Sequence, residues 1–195
     1  LLQFGEHQQA LSIFSDLAAQ TPASPALAAR KADSLALSGR LREAAAEYER
    51  AMRLPGAAPH VWVSAGAVYS AIGDADSARR CYQQALARDG SNPIALNNLA
   101  YLLGRSGQQL DYALQLAQNA GAVLPDSDEV QDTLVYLSLR MGLKQQALGI
   151  LERAASRSTS SSKAWFQSLR AQLSKGTAEE VLRRMEEAQR TRKLT

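Results

Sequence analysis

Six glycines recur along this chain at an almost constant interval, and this interval limits the possible folds more than any other feature. Successive members of the series lie 34, 34, 34, 35 and 34 residues apart. They are Gly5, Gly39, Gly73, Gly107, Gly142 and Gly176. Two further series of small or apolar residues run in phase with the glycines. A period of this length over most of the 195 residues predicts a stack of short, similar structural units.

The residues between the glycines have the pattern of paired helices. All 6 prolines fall about midway between consecutive glycines of the series, and proline suits the loop before a helix or its first turn. Between Pro59 and Gly73, and again between Asp76 and Asp89, apolar residues recur every three or four positions. No segment shows the alternation that is typical of a strand. Each unit is therefore predicted to be helix, glycine turn, helix and proline loop, which makes the chain all-α.

One unit carries a recognisable signature. The segment from Pro59 to Asn92 contains Trp62, Gly66, Tyr69, Gly73, Ala78, Tyr82 and Ala85. In these residues it resembles a tetratricopeptide repeat (TPR). The resemblance divides the chain into a half repeat at 1–24, repeats at 25–58, 59–92, 93–127 and 128–161, and a degenerate capping repeat at 162–195. It implies an α-solenoid of antiparallel helix pairs, a right-handed superhelix whose first helices line a concave groove.

Small residues are expected where two helices cross, because they let the backbones approach each other. The expected crossing residues are Ala32, Ala44, Gly66, Ala78, Ala100, Ala113 and Ala147. Larger side chains would then fill the gaps between units. The expected buried set is Leu35, Tyr48, Tyr69, Tyr82, Leu86, Leu103 and Leu151.

The TPR resemblance also implies which side chains face the groove. The positions that carry over to the site are Arg30, Asp33, His60, Ser64, Asn97, Asn98, Tyr101, Arg105, Asp132, Tyr136 and Arg140, with Thr133, Lys163, Phe166 and Arg170 at equivalent positions. Asparagine amides can bind a peptide backbone, tyrosine offers a rigid contact face, and arginine can bind a carboxylate. We therefore expect the ligand to be a peptide or a helix of a partner protein.

A simpler interpretation of the same residues stays open. Asn97 and Asn98 could be solvated helix positions, and Tyr101 and Tyr136 could cover the gap between adjacent first helices. The arginines at 105 and 140 lie in a last helical turn, where cations favour the helix dipole. The basic clamp of chaperone-binding TPR proteins is disfavoured, because the unit after Asn98 has acidic groups where that clamp needs basic ones.

Composition and chemistry exclude several other functions. The excess of basic over acidic residues is 22 − 19 = 3, which is too small to predict nucleic-acid binding. His7 and His60 lie in different units without a cysteine or carboxylate at ligand spacing, so we expect no metal, no cofactor and no catalytic residue. Cys81 is expected to be a buried structural thiol. No apolar run approaches the roughly 20 residues of a membrane helix, so no membrane insertion is expected.

The two ends of the chain carry separate expectations. The chain begins at Leu1 without methionine, so the true N-terminus is expected to lie upstream. A first helix from Glu6 to Ala19, preceded by a turn at Gly5, would lack its partner helix and could form a homodimer through its apolar face. The last helix is expected to cap the array, with an inward apolar side and an outward polar side. The inward set is Val181, Leu182, Met185 and Ala188, and the outward set is Arg183, Arg184, Glu186, Glu187, Arg190 and Arg192.

These observations favour a protein-interaction scaffold that binds a partner's peptide or helix in the assembly of a multiprotein complex, and not an enzyme. Two alternatives stay open: a non-catalytic regulatory or substrate-presenting arm of a larger enzyme, and a homotypic assembly module. The segment from Asn97 to Leu103 resembles bacterial TPR proteins, which makes both the bacterial cytoplasm and the periplasm candidate compartments.

Overall fold

The computed structural model describes residues 2–21, 23–157 and 160–192. Within these ranges it contains eleven α-helices and no strand, so the predicted all-α fold class is confirmed. The helices are α1 (Leu2–Gln20), α2 (Pro25–Leu37), α3 (Leu41–Arg53), α4 (Pro59–Ile72), α5 (Ala75–Arg88), α6 (Pro93–Ser106), α7 (Leu110–Val123), α8 (Asp128–Arg140), α9 (Lys144–Arg157), α10 (Ser160–Lys175) and α11 (Ala178–Arg192).

Proline and a polar cap define where the first helix of a pair begins. Helices α2, α4 and α6 each start with proline, whose fixed φ and missing N–H suit the first turn. Ser24 Oγ accepts a hydrogen bond from the Leu27 N–H at 3.3 Å, and Asn92 Oδ1 accepts one from the Ala95 N–H at 3.0 Å. Each cap satisfies a backbone donor that the helix itself leaves unpaired.

Four of the spaced glycines form turns between paired helices. Gly39, Gly73, Gly107 and Gly142 have φ values of 76°, 95°, 71° and 74°, a left-handed conformation that glycine adopts without steric cost. The one inserted residue of the period lengthens the third of these turns, where Gln109 adopts a φ of 51° directly before α7. The glycine turns predicted for these four positions are confirmed.

The two outer glycines of the series do not form such turns. Gly5 lies inside α1, which runs without interruption from Leu2 to Gln20, so the predicted turn before Glu6 is wrong. Gly176 lies in the short connection between α10 and α11, and its φ is outside the left-handed range. Spacing alone does not decide the conformation, because glycine inside a helix costs only about 1 kcal/mol relative to alanine.

The chain divides into two compact units, unit 1 (Leu1–Gly90) and unit 2 (Ser91–Thr195). In unit 1, each of the helices α1 to α4 packs against the next one along the chain. Gly66 is buried where α4 crosses α5, and a Cβ atom at this position would lie 2.6 Å from Cε1 of Tyr82. Only glycine therefore permits this crossing distance.

Unit 2 begins with the same pairing and ends differently. Helix α6 packs against α7 and α8, and α8 packs against α7, α9 and α11. Helix α10 packs mainly against α9, whereas α11 makes few contacts with α10 and also lies against α8. The core around α8 to α11 includes Val135, Tyr136, Leu139, Ile150, Leu151, Phe166, Leu169, Leu173, Val181 and Met185.

Most of the predicted interior is observed. Every alanine expected at a helix crossing is fully buried. Five of the larger side chains are at most 4% exposed, namely Leu35, Tyr48, Tyr82, Leu103 and Leu151. Tyr69 and Leu86 are only partly buried, so their assignment to the buried set is wrong. The phenol of Tyr69 reaches the exposed Glu49 carboxylate, to which it donates a hydrogen bond of 2.5 Å, and this polar contact holds the ring at the surface.

Candidate functional site

Unit 1 carries four of the predicted groove residues, on α2 and α4. Arg30 and His60 are exposed, whereas Asp33 and Ser64 are half-buried. The phenol of Tyr48 donates a short hydrogen bond to Asp33. Burial of Tyr48 and this bond to a carboxylate raise the pKa of the phenol, and a hydrogen bond with Ser64 acts in the opposite direction. We call the four predicted residues the α2–α4 surface.

Unit 2 brings together five of the predicted residues, on α6 and α8. Tyr101 and Tyr136 lie with their ring centroids 5.6 Å apart and their planes tilted by 52°, an arrangement that favours the attraction between ring edge and ring face. Arg140 Nη1 donates a hydrogen bond of 3.1 Å to the phenol oxygen of Tyr136. We call Tyr101, Arg105, Asp132, Tyr136 and Arg140 the α6–α8 surface.

A buried glycine allows α6 and α8 to approach each other. A Cβ atom on Gly104 would lie 2.5 Å from Cδ2 of Leu137, a side chain with no exposed surface, and 3.4 Å from Cε1 of Tyr136. The missing side chain therefore leaves room for Leu137 and the Tyr136 ring. Gly104 lies three residues after Tyr101 on the same helix, and this spacing is a signal that could have placed it at this crossing.

Helix α11 covers part of the α6–α8 surface. The phenol of Tyr136 donates a hydrogen bond of 3.0 Å to Glu186 Oε1, so Arg140, Tyr136 and Glu186 form a continuous chain of hydrogen bonds. Burial raises the pKa of Tyr136; Arg140 opposes that shift and Glu186 adds to it. Tyr136 is only 2% exposed, which shows that a residue expected to face an open groove is covered by the chain itself.

A second contact joins α8, α10 and α11. Trp165 Nε1 donates a hydrogen bond of 2.9 Å to Oδ1 of Asp132, a carboxylate on a residue that is 4% exposed. The guanidinium of Arg184 lies 5.2 Å from the centroid of the Trp165 ring, within the range of a cation–π interaction. These contacts hold Asp132 inside the unit.

The face that α11 presents differs from the sequence-based expectation. Val181 and Met185 are buried as predicted. Arg184 and Glu186, however, are partly buried and bound to Trp165 and Tyr136, so their assignment to the outward side is wrong. Arg184 lies three residues after Val181 and Glu186 lies four residues after Leu182, both predicted to face inward, and this helical spacing is a signal that could have found them.

The remaining predicted positions lie in varied surroundings. Asn97 is 8% exposed; its Oδ1 has no hydrogen-bond partner in the described part of the chain, and its Nδ2 lies 3.5 Å from Oδ1 of the half-buried Asn98. Thr133 donates to the carbonyl of Glu129 in its own helix at 3.0 Å. Arg105 and Lys163 are exposed, and Arg170 Nη2 pairs with Glu152 Oε1 at 3.2 Å. Phe166 belongs to the core, with no exposed surface.

The structure offers little for metal or nucleophile chemistry in the described residues. No group of three His, Cys, Asp or Glu side chains there is arranged to hold a metal ion. Burial raises the pKa of the Cys81 thiol to about 11, which keeps it protonated at neutral pH. None of the helices in the described ranges combines the length and apolar character needed to span a bilayer.

Comparison with known sequences finds a match in the segment that runs from α4 into α6. Residues 59–102 match a family model described as a tetratricopeptide repeat. The tetratricopeptide repeat protein 8 of Homo sapiens is 32% identical over 90 residues, which cover 46% of this chain and 16% of that protein. The matching segment is thus only a small part of that relative's length.

Solved structures share the fold over most of the chain. MamA from residue 41 to its end, from Desulfovibrio magneticus RS-1, is similar with a TM-score of 0.70 and 18% identity, over 80% of this chain and 87% of that one. YrrB, described as a TPR protein with an unusual peptide-binding site, is similar with a TM-score of 0.67 and 16% identity, over 78% of each chain. The chain therefore contains a tetratricopeptide repeat within residues 59–102 and has the all-α, solenoid-class fold of TPR proteins.

Proposed function

We propose that the chain is a non-catalytic protein-interaction scaffold that binds a helix or an extended segment of a partner protein on the first helices of its repeats. The observation that carries this proposal is the α6–α8 surface in contact with α11. There, a tyrosine bound to an arginine receives a carboxylate from an amphipathic helix. The same side-chain chemistry would receive a helix from another protein.

The α2–α4 surface supports the proposal through its exposure. Arg30 and His60 are exposed side chains at predicted groove positions on α2 and α4, and both can donate hydrogen bonds to a carboxylate. Asp33 lies on α2 with Arg30, and Ser64 lies on α4 with His60. Both side chains form a hydrogen bond with Tyr48, which fixes their orientation before a ligand binds. Preorganised polar groups lower the cost of ordering on binding. A partner segment with carboxylates to meet Arg30 and His60 fits this surface.

A peptide-library selection tests this function. Peptides enriched on the unmodified chain are titrated against a variant with Arg30→Ala and His60→Ala, and against a control with Arg79→Ala and Gln83→Ala on α5. We expect at least a tenfold loss of affinity for the first variant and no loss for the control, because hydrogen bonds from Arg30 and His60 to carboxylates of the partner contribute about 1.5–3 kcal/mol each. Peptides that bind both variants equally would contradict the proposal.

The alternative function, a non-catalytic arm of a larger enzyme, would use the same surface. The full-length sequence distinguishes it from a free-standing scaffold.

Homotypic assembly is favoured by a different observation. Ile13 and Leu17 on α1 are 57% and 40% exposed, which leaves apolar side chains of this helix uncovered. Light scattering distinguishes this case: a dimer that becomes a monomer on Ile13→Asp with Leu17→Asp supports it, and a monomer at all concentrations excludes it.

A further inference from the structure

Helix α11 has the properties of a unit that forms by itself. Thr177 and Glu180 cap its N-terminus reciprocally: the Glu180 N–H donates to Thr177 Oγ1 at 3.3 Å, and the Thr177 N–H donates to Glu180 Oε2 at 3.2 Å. This is a complete capping box. Its sequence also places arginines four residues after Glu179, Glu180 and Glu186, a spacing that stabilises isolated helices.

The attachment of α11 to the rest of unit 2 is uneven. The connection from α10 is the two residues 176–177, and the few contacts between α10 and α11 contrast with the extensive contacts between α9 and α10. The helix contributes Val181 and Met185 to the buried cluster, with Arg184 on Trp165 and Glu186 on Tyr136. These contacts define a pattern on α11: an apolar residue, an arginine, an apolar residue and a glutamate at relative positions 1, 4, 5 and 6. The four residues are Val181, Arg184, Met185 and Glu186.

The C-terminal half of α11 fills its part of the surface incompletely. A cavity of about 150 Å³ remains between α6 and α11, lined by Tyr101, Arg105, Glu186, Gln189 and Arg190. Burial raises the pKa of Tyr101, with Arg105 acting in the opposite direction. Because the exposed Arg105 and Gln189 line the same unfilled space, a helix with glutamate at the position of Gln189 would offer Arg105 a carboxylate that α11 does not offer.

We propose that α11 is a tethered ligand of the α6–α8 surface, which a partner's amphipathic helix with the same apolar, arginine, apolar, glutamate pattern replaces. The proposal rests on the proposed scaffold function and deepens it by naming the partner chemistry of unit 2. Docked α11 and the partner helix exclude each other, because Tyr136 and Trp165 serve both. The apparent affinity for the partner is then reduced by the fraction of chains in which α11 is docked.

A peptide in trans tests the exclusion. The probe is a fluorescent peptide of residues 177–192, titrated into the unmodified chain, into Glu186→Arg and into the matched control Glu187→Arg. Glu187 is exposed and adjacent, so its substitution makes the same change of charge away from Tyr136. Loss of a hydrogen bond to a charged group costs about 1.5–3 kcal/mol. We therefore expect Glu186→Arg to bind the peptide roughly tenfold more tightly than the other two chains.

Two results would overturn the proposal. One is equal affinity of the three chains for the peptide, and the other is binding that persists when the peptide carries Asp at positions 181 and 185. The scaffold function is tested independently at Arg30 and His60, so failure of the peptide assay leaves that test intact. Conversely, a peptide that binds only Glu186→Arg would support the tethered ligand even if no library peptide bound the α2–α4 surface.

Hydrogen exchange on the unmodified chain provides a test that does not depend on any variant folding. A tethered ligand opens locally, so amides of α11 should exchange at least tenfold faster than those of α8 and α9. Exchange of α11 at the same rate as α8, through unfolding of the whole unit, would overturn the proposal.

Discussion

The α2–α4 surface and the α6–α8 surface both consist of predicted groove positions, yet their side chains have different surroundings. In unit 1, Arg30 and His60 remain exposed, and Asp33 accepts a hydrogen bond from Tyr48 on the paired helix. In unit 2, Tyr136 is nearly fully buried and its phenol is bound by Glu186, 50 residues further along the chain. Register determines which residues form such a surface, whereas a later helix determines whether the surface is open.

The largest expected effect separates the two units. Met185→Ala removes a buried side chain of α11 and should lower the free energy of unfolding by about 2–5 kcal/mol. Each unit has one tryptophan, Trp62 or Trp165, so urea titrations in Trp62→Phe and Trp165→Phe backgrounds follow the units separately. The shift should be larger for the chain that reports from Trp165. A larger shift at Trp62 would show that α11 does not belong to the core of unit 2.

The two buried glycines should tolerate a methyl group equally poorly. Gly66→Ala and Gly104→Ala place a Cβ atom 2.6 Å from the Tyr82 ring and 2.5 Å from Leu137, so each should cost about 1–3 kcal/mol. Gly149→Ala on α9 is the control, because its Cβ would meet only Arg153 at an ordinary 3.5 Å. Gly149→Ala should raise the free energy of unfolding by up to about 1 kcal/mol, because alanine has the higher helix propensity. Thermal unfolding measures all three, and a gain at Gly66 or Gly104 would refute the close crossings.

Removal of one phenol hydroxyl from either unit should lower the free energy of unfolding by a similar amount. The helices whose hydrogen exchange changes should differ between the two units. Tyr48→Phe and Tyr136→Phe each lose a hydrogen bond to a carboxylate, which is worth about 1.5–3 kcal/mol for stability. Only Tyr136→Phe should accelerate hydrogen exchange in α11. Equal acceleration of α11 by Tyr48→Phe would contradict the assignment of α11 to the α6–α8 surface.

Among these changes, a lower pH should have the smallest effect on the free energy of unfolding, and this effect should arise in unit 1. Burial would raise the pKa of Glu47, but hydrogen bonds from Lys31 and Arg50 outweigh burial and hold that pKa below 4.5, the ordinary value. The folded state therefore gains stability from the ionised carboxylate above pH 4.5 and loses it as the pH falls through the lowered pKa. Urea titrations at pH 7 and pH 3 should show a smaller acid loss for Glu47→Gln than for the unmodified chain. An identical acid loss would exclude this contribution.

Sequence reasoning predicted the parts of the structure that repeat. The turns at Gly39 and Gly73 and the crossing at Gly66 follow from local chemistry that recurs in every regular unit. Helix α11 was predicted as a cap with the correct buried residues Val181 and Met185. The partners of Arg184 and Glu186 depend on how α11 packs against α8 and α10, and no periodicity in the sequence contains that information. The division of the chain into repeats stays a prediction.

A nuclear Overhauser spectrum of the isotope-labelled chain tests directly whether α11 covers the α6–α8 surface. A hydrogen bond of 3.0 Å between the Tyr136 phenol and Glu186 brings the two side chains within range of this effect. We expect cross-peaks between ring protons of Tyr136 and side-chain protons of Glu186, both in the unmodified chain and in Glu187→Arg. Absence of these cross-peaks in the unmodified chain, with α11 helical but without contacts to α8, would contradict the placement of α11 on this surface.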